Sequence, residues 1–310
     1  MKKLLMVSIL LLACSAFSEA QVKKTGTKKS KPVAKKVAIQ QPSVNFEEII
    51  AASTPVIDKT INGSVNWTEQ YIEAKGSSVI DAERFKNPAQ ANAMAARGAV
   101  VVAQRNLLEI INGVNVSGET TVEDMITTSD VISTKVEGII KGAQVIGEPV
   151  LKNGMVEVTM RVPLYQSGGL APAVIDGVEA LNPEVVEPVD EKPETVSATN
   201  AAEQTQKFAF NMNGKKFDPS LFPIITDKDG KVLLDLSKVY DPKSGNFPKY
   251  LQLTKDVMKG VGFDKGVQFL DVLETSTGKI TLSDIGKNKI NWQKIGKTAA
   301  TIGKFLLLLI

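Results

Sequence analysis

Apolar residues recur at alternating intervals of three and four along residues 88–112, which predicts an amphipathic α-helix of about 25 residues. Asn87 is a favourable N-cap, Pro88 suits the first helical position, and Gly113 suits a left-handed residue at the C-terminal end. The predicted buried stripe consists of Ala93, Ala96, Val100, Ala103, Leu107 and Ile110. Because most of these residues are small, the helix is expected to lie close against a sheet.

Two neighbouring segments carry weaker patterns. Residues 63–76 are rich in Val, Trp, Tyr and Ile without a sustained helical period, which predicts a strand interrupted near Glu69. A second, shorter helix is predicted between about Glu123 and Lys141.

A β-hairpin is predicted over residues 145–162. Asn153-Gly154 lies between two strand-like segments, and both central residues of a type I′ turn require positive φ. The second strand alternates strictly, so one of its faces is expected to be buried and the other wet. Its buried positions are Val156, Val158, Met160 and Val162.

From Phe208 onward the pattern changes to short strands joined by tight turns. The three strand-like runs are FAFNMNGKKF, PIITDKDGKVLLDL and VQFLDVLETSTGKITLS. Asp229-Gly230 and Thr277-Gly278 are the predicted hairpin tips. Residues 241–245 are predicted to form a loop, and residues 250–259 either a short helix or another strand.

These patterns predict an α+β protein in which a small antiparallel sheet is covered by a long and a shorter helix, followed by a mostly β domain. Residues 167–206 are predicted to be a linker, since their later part is rich in proline and acidic residues. The predicted domains are therefore residues 44–166 and residues 207–310.

The N-terminus resembles an export signal. Lys2 and Lys3 precede an apolar run that is too short to span a bilayer. Two processing routes fit: a lipobox ending at Cys14, whose thiol would be acylated, and signal peptidase cleavage after Ala20. Both routes predict an exported protein of the bacterial cell envelope, in the outer membrane or the periplasm.

Residues 21–43 form a basic tether that cannot build a core, because they contain seven lysines and neither acidic nor aromatic residues. These lysines are Lys23, Lys24, Lys28, Lys29, Lys31, Lys35 and Lys36. The tether acts either as a solvated spacer or as a surface-binding segment for anionic lipid or cell-wall polymer. Nucleic acid is not expected as a partner, since the tether has no interleaved aromatic residues and the chain is exported.

Composition argues against the commonest catalytic chemistries. The chain has no histidine, which excludes a Ser-His-Asp triad, a Cys-His dyad and a histidine-ligated zinc. It has one cysteine, which excludes an internal disulfide and a thiolate metal cluster. No catalytic residue, metal ligand or cofactor is predicted.

Three short motifs lack residues or the structural context that their chemistry requires. Gly296-Lys297-Thr298 would end a phosphate-binding loop whose first glycine falls on Asn291. Asp227 and Asp229 lack the remaining oxygen ligands of a calcium loop, so they predict a turn. Residues 276–279 have the spacing of a Ser/Lys nucleophile but fall on a predicted hairpin tip.

The C-terminal residues 305–310 are all apolar. They are expected to be either the last helix or strand of the core or, with the lysines before them, a segment that docks on a membrane or a partner.

Three motifs in residues 60–166 also carry a family resemblance. In order they are GSVNWTEQYIEAKG, ANAMAARGAVVVAQRNLLEIINGVNV and VEGIIKGAQVIGEPVLKNGMVEVTMRVPL. They resemble the lipoprotein-20 family, whose domain is similar to the N-terminal domain of flagellar assembly protein T. The resemblance implies an exported, often lipid-anchored α+β envelope protein without an established catalytic site.

The expected function is that of a non-enzymatic envelope scaffold or assembly factor with an envelope protein as its partner. The alternative is a binding module for cell-wall glycan or another envelope polymer. Membrane anchoring is expected through lipid or through the C-terminal segment.

Overall fold

The computed structural model describes residues 46–181, 207–245, 247–262, 267–288, 292 and 305–309. Cys14, Ala20, the lysine tether, residues 182–206 and residues 296–298 therefore lie outside the described residues. The class is α+β, as predicted. The described residues all belong to one compact unit.

Residues 46–181 supply most of the helices that the structure describes. Its elements are α1 (Phe46–Ala52), β1 (Thr54–Pro55), β2 (Ile57–Lys59), β3 (Gly63–Asn66), β4 (Tyr71–Val79), α2 (Pro88–Asn112), β5 (Asn115–Ser117), β6 (Thr120–Thr121), α3 (Val122–Thr128), α4 (Asp130–Lys141), β7 (Gln144–Lys152), β8 (Met155–Pro163) and α5 (Leu170–Leu181).

The described residues between 207 and 309 form mainly strands. Its elements are β9 (Lys207–Asn211), β10 (Ile224–Asp227), β11 (Val232–Asp235), α6 (Leu236–Val239), β12 (Lys249–Leu253), α7 (Lys255–Gly260), β13 (Val267–Ser276), β14 (Lys279–Leu282), α8 (Asp284–Lys287) and β15 (Phe305–Leu309).

A five-stranded antiparallel sheet has the order β2-β3-β4-β8-β7. The strand predicted at 63–76 is β3 followed by β4, with a turn around Glu69, as expected. The predicted hairpin is β7 and β8, and φ is positive at both Asn153 and Gly154, which confirms the type I′ turn.

Helix α2 has the predicted start and length, but not the predicted buried stripe. Asn87 caps it by accepting a hydrogen bond from the backbone nitrogen of Ala89 at 2.9 Å. Gly113 has φ −79°, so the predicted left-handed C-terminal residue is wrong. The buried residues are Ala91, Ala95, Ala99, Ala103, Leu107, Ile110 and Ile111. The predicted stripe is therefore wrong at Ala93, which is exposed, whereas Ala96 and Val100 are partly buried and Val100 packs against the core.

The reason for the different stripe is a backbone contact with β4. A Cβ at Gly76 would overlap the carbonyl oxygen of Ala99 and the backbone nitrogen of Ala103. The absence of a side chain at Gly76 lets the helix rest directly on the strand. This contact selects the face that contains Ala99 and Ala103, which apolar periodicity alone does not reveal.

The helix predicted at about 123–141 is two helices, α3 and α4, which meet at Ser129. Thr121 forms a capping box with Asp124 at the start of α3. Ser129 is extended, and its hydroxyl accepts a hydrogen bond from the backbone nitrogen of Ile132. A new N-cap thus begins α4 where α3 ends.

The predicted linker begins too early. Residues 170–181 form α5, and Leu170, Ala171 and Val174 are completely buried. The acidic, proline-containing part of the prediction, residues 182–206, lies outside the described residues. Helix α5 has only 12 residues and is followed directly by that acidic stretch, so its apolar pattern is short.

An eight-stranded sheet has the order β1-β12-β15-β9-β13-β14-β10-β11 and mixes parallel and antiparallel pairs. The predicted hairpin tips are confirmed, since Gly230 and Gly278 have φ of 83° and 61°. Residues 250–259, predicted as helix or strand, contain the end of β12 and most of α7.

The apolar C-terminal residues form β15, which pairs in parallel with β12 on one side and β9 on the other. On both neighbours, alternate residues enter two different apolar clusters. Phe210 and Tyr250 belong to the main core, whereas Ala209 and Leu251 pack with Ile49 of α1. A strand between them is expected to be apolar at every position, as the sequence FLLLL is.

Both predicted domains contribute to one hydrophobic core. The rings of Tyr165 and Phe247 stack with centroids 4.1 Å apart, and Tyr165 donates a hydrogen bond to the carbonyl oxygen of Leu221 at 2.8 Å. Thr68 donates to the carbonyl oxygen of Tyr250 at 2.7 Å. The described residues of 44–166 and 207–310 therefore pack together as parts of the same unit.

Candidate functional site on the open face of the five-stranded sheet

The five-stranded sheet has one covered face and one open face. Every second residue of β8 is buried on the side of α2, while the residues between them are only partly buried. Residues opposite each other in antiparallel strands project to the same side, so the register defines the open face. One end mixes the apolar Val79, Met155 and Val150 with the charged Lys152 and Glu157, and the other end is polar, with Gln144, Arg161, Glu73 and Tyr71.

Strand β7 is the edge of this sheet, and all nine of its residues are exposed. Its ladder with β8 is interrupted between Ile146 and Val150, where Gly147 has φ 72°. On either side of this bulge lie apolar residues, of which Val150 and Leu151 are 56% and 58% exposed. Apolar side chains on a free sheet edge are typical of contact surfaces for extended segments.

Arg161 is held in place at the polar end. Its Nε and Nη2 atoms donate to Oε2 of Glu73 at 3.1 and 2.6 Å. Its guanidinium carbon lies 3.7 Å from the ring centroid of Tyr71, a cation–π contact. The arginine is therefore oriented by a carboxylate and a ring, and its charge is balanced before any ligand binds.

A cleft of about 380 Å³ opens beside Arg161, where β4 begins and β8 ends. The C-terminal end of α4 and the residues after it supply one wall, through Ile139 and Ala143. Besides Arg161, the polar part of its lining consists of Glu69, Gln70, Tyr71, Gln144, Gln166 and Ser167. The volume lies within the range of small-ligand pockets.

Two glutamines in the lining have left-handed backbone conformations. Gln70 has φ 64° and Gln166 has φ 76°. Gln70 is fixed through its carbonyl oxygen, which accepts from Leu164 N at 2.9 Å, and Gln166 through its own nitrogen, which donates to Pro242 O at 2.7 Å. Such conformations are uncommon outside glycine and often mark functional sites.

Asp227 and Asp229 form the predicted turn. Oδ1 of Asp227 accepts hydrogen bonds from the backbone nitrogens of Asp229 and Lys231 at 3.1 and 2.9 Å. Lys287 donates to Oδ2 of Asp227 at 2.7 Å. This bond lowers the pKa of Asp227 below its ordinary value of 3.8, against the opposing effect of burial.

Residues 276–279 lie on the tip between β13 and β14, as predicted. Across the described ranges, no group of three or more Cys, Asp or Glu side chains is arranged to hold a metal ion.

The sequence patterns did not predict the residues of this cleft. Arg161 and Tyr71 appear there only as polar or aromatic members of alternating strands, and 90 positions separate them. Only the register of β4 with β8 brings them to the same end of the sheet. The local signal for this site in the sequence is Gln70, which lies next to the predicted strand interruption at Glu69.

The chain matches no model of a known protein family. No curated protein is detectably similar to it. Of the helices that the structure describes, none is long and apolar enough to cross a membrane.

Proposed function

We propose that this chain is a non-enzymatic, exported cell-envelope protein that acts as a scaffold or assembly factor. The observation that carries the proposal is the exposed edge strand β7, with apolar side chains on both of its faces. The export signal and the resemblance to the lipoprotein-20 family support the location. The proposed partner at β7 is an extended apolar segment of another envelope protein.

The register supports strand addition at this edge. Val145 and Leu151 lie opposite Met160 and Val156, on the side of α2, whereas Ile146 and Val150 lie on the open face. An added strand could thus bury side chains on both faces while its main chain pairs with β7. Because Gly147 and Pro149 interrupt the ladder, only a segment that fits the bulge would pair along the whole strand.

A photo-crosslinking amino acid placed at Val150 tests this proposal in intact cells. We expect one discrete crosslinked envelope protein, identified by mass spectrometry, with the crosslinked peptide in an extended segment. Position Val101 on α2 is the matched control, since it is 49% exposed but lies on a helix. The additional substitution Ile146→Lys should abolish the crosslink without unfolding the protein. Equal crosslinking from Val101 would contradict the proposal.

The location is tested by the intact mass of the mature N-terminal peptide together with cell fractionation. An acylated Cys14 indicates a lipoprotein, and a chain that begins at Gln21 indicates an unlipidated exported protein. A mature protein found in the cytoplasm would overturn the proposal.

A second candidate function is binding to cell-wall glycan or another envelope polymer. The polar cleft beside Arg161 favours it, since amide, hydroxyl and aromatic groups converge there. The protein should then cosediment with purified cell wall. Deletion of residues 23–36 distinguishes binding by the lysine tether from binding by the cleft.

A further inference from the structure

The charges around the cleft disfavour an anionic ligand. Arg161 is the only cation among the described lining residues, and Glu73 already occupies its Nε and Nη2 atoms. The exposed carboxylate of Glu69 adds a negative charge to the lining. An acidic ligand would thus meet one compensated cation and one unpaired acid, so the cleft suits a ligand without net charge.

The remaining polar groups suit hydroxyls. The amides of Gln144 and Gln166 are exposed, and each can donate and accept hydrogen bonds at once, as can the Ser167 hydroxyl. A sugar hydroxyl requires the same combination from its partners. Apolar atoms of Pro163 and Ala143 complete the lining and can contact the C–H faces of a sugar ring.

One glutamine of the lining has a side chain that is already held in place. Nε2 of Gln70 donates to the carbonyl oxygens of Phe247 and Pro248 at 2.9 and 3.2 Å. Both of its N–H groups are thereby used, which leaves Oε1 as an acceptor in a fixed position. The side chain loses little freedom when a ligand hydroxyl binds to it.

The backbone conformations of Gln70 and Gln166 also support a role for their side chains in the cleft. The other described non-glycine residues with positive φ are Asn153 and Asn213, each followed by glycine in a turn. Asparagine tolerates that conformation, whereas glutamine does so less well. The two glutamines with this conformation line the same cleft, so a requirement for their amides there explains why glycine or asparagine is not used.

From these observations we propose that the cleft between the start of β4 and the end of β8 binds a short, neutral glycan segment. Gln70, Gln144, Gln166 and Ser167 recognise its hydroxyls, and Arg161 is held by Glu73 and Tyr71 as a charge-balanced donor. This inference rests on the second proposed function, binding to an envelope polymer, and names its ligand class and its site.

Calorimetric titration of the full chain with neutral tetrasaccharides tests the inference. The probes are chitotetraose, cellotetraose and maltotetraose, with tetragalacturonate as the anionic counterpart. We expect at least one neutral probe to bind with an affinity that does not change with salt, and the anionic probe to bind about tenfold more weakly or not at all. Failure of all three neutral probes at millimolar concentration, or tighter binding of the anionic one, would overturn the inference.

The substitution Gln166→Gly separates a ligand role from a structural one. Glycine accepts φ 76° without strain, so the fold should be kept or stabilised while the amide is lost. The affinity for the neutral probe should fall about tenfold, the loss expected for one hydrogen bond. Asn213→Gly is the matched control, because it removes another amide at positive φ, outside the cleft lining. Equal affinities of the two variants would contradict the inference.

Cosedimentation with cell wall distinguishes failure of the neutral-glycan site from failure of the polymer-binding function as a whole. A chain that sediments with cell wall but binds no neutral tetrasaccharide retains the polymer-binding function and refutes the neutral-glycan site. A chain that does neither refutes both.

Discussion

The two large sheets of this protein differ in how many of their faces are covered. The five-stranded sheet packs α2 against one face and leaves the other open, with the polar cleft at one end. The eight-stranded sheet has apolar clusters on both faces of its centre, one of them built with α1 and α7. Accordingly, β8 alternates between apolar and polar residues, whereas β15 is apolar throughout.

Because of this difference, we expect the five-stranded sheet to affect ligand binding and the eight-stranded sheet to affect the stability of the fold. The open face can present Arg161 and Tyr71 to a ligand because both residues are only partly buried and line the cleft. The described residues of β9 and β12 at the centre of the eight-stranded sheet contribute to the two apolar clusters, and changes there are expected to act on folding. Substitutions in the two sheets should therefore affect different measurements.

The largest effect is expected from removal of β15. Deleting residues 305–310 leaves β12 and β9 without their common neighbour, in the middle of the sheet. Unpaired backbone groups and exposed core would then destabilise the fold by about its total stability. We expect no cooperative thermal transition by circular dichroism.

The substitution pair Leu307→Asp and Leu307→Val provides a control for this deletion. Only the aspartate should abolish folding, because valine keeps an apolar strand. A deleted chain that stays folded but no longer partitions to membrane would instead favour a docking role for the C-terminus.

The next largest effect is expected at the contact between α2 and β4. In Gly76→Ala the new methyl group would overlap backbone atoms of Ala99 and Ala103, which cannot move as a side-chain end can. The helix must shift away from the sheet, at a cost of about 3 kcal/mol in the free energy of unfolding. Urea denaturation measures this loss. A loss below about 1 kcal/mol would show that the helix can adjust its position freely.

A smaller, pH-dependent effect is expected for the ion pair of Asp227 with Lys287 in the eight-stranded region. The folded-state pKa of Asp227 is lowered from 3.8 and that of Lys287 is raised from 10.5, mainly by their mutual hydrogen bond. The pair therefore stabilises the fold between these two values. This stabilisation is lost as the pH falls below 3.8 through the folded pKa of Asp227, or rises through that of Lys287.

Lys287→Met should accordingly lower the thermal midpoint at neutral pH, and the difference from the unsubstituted chain should shrink as the pH falls below 3.8. Lys228→Met is the control, since Lys228 pairs with Asp284 through side chains that are about half exposed, whereas Asp227 is buried. A difference that is constant down to about pH 2 would argue against the ion pair as its cause.

The smallest effect is expected at a helical glycine that has open space where a side chain would be. Gly138 lies within α4, and a Cβ there would meet no atom within 4 Å. Gly138→Ala should therefore raise the free energy of unfolding by about 0.5 to 1 kcal/mol through helix propensity. The contrast with Gly76→Ala, measured under the same conditions, isolates the close approach of α2 to β4.

Local signals in the sequence predicted the local structure well. Asn87 and Pro88 mark the start of α2, and Asn153-Gly154 marks the hairpin turn, because caps and type I′ turns depend on residues close in sequence. The buried stripe of α2 was predicted incorrectly in its first half, since apolar alanines occur on more than one face. The cleft was not predicted, because its residues meet only through strand register.

The sequence by itself determined the α+β class, the turns, the helix start and the alternation of β8, all of which depend on residues within a few positions of one another. Only the tertiary structure decided that the C-terminal strand lies between β12 and β9, that α5 is buried, and that Arg161, Glu73 and Tyr71 meet at one cleft. These features depend on pairing between distant segments, which apolar periodicity does not encode because many segments share the same pattern.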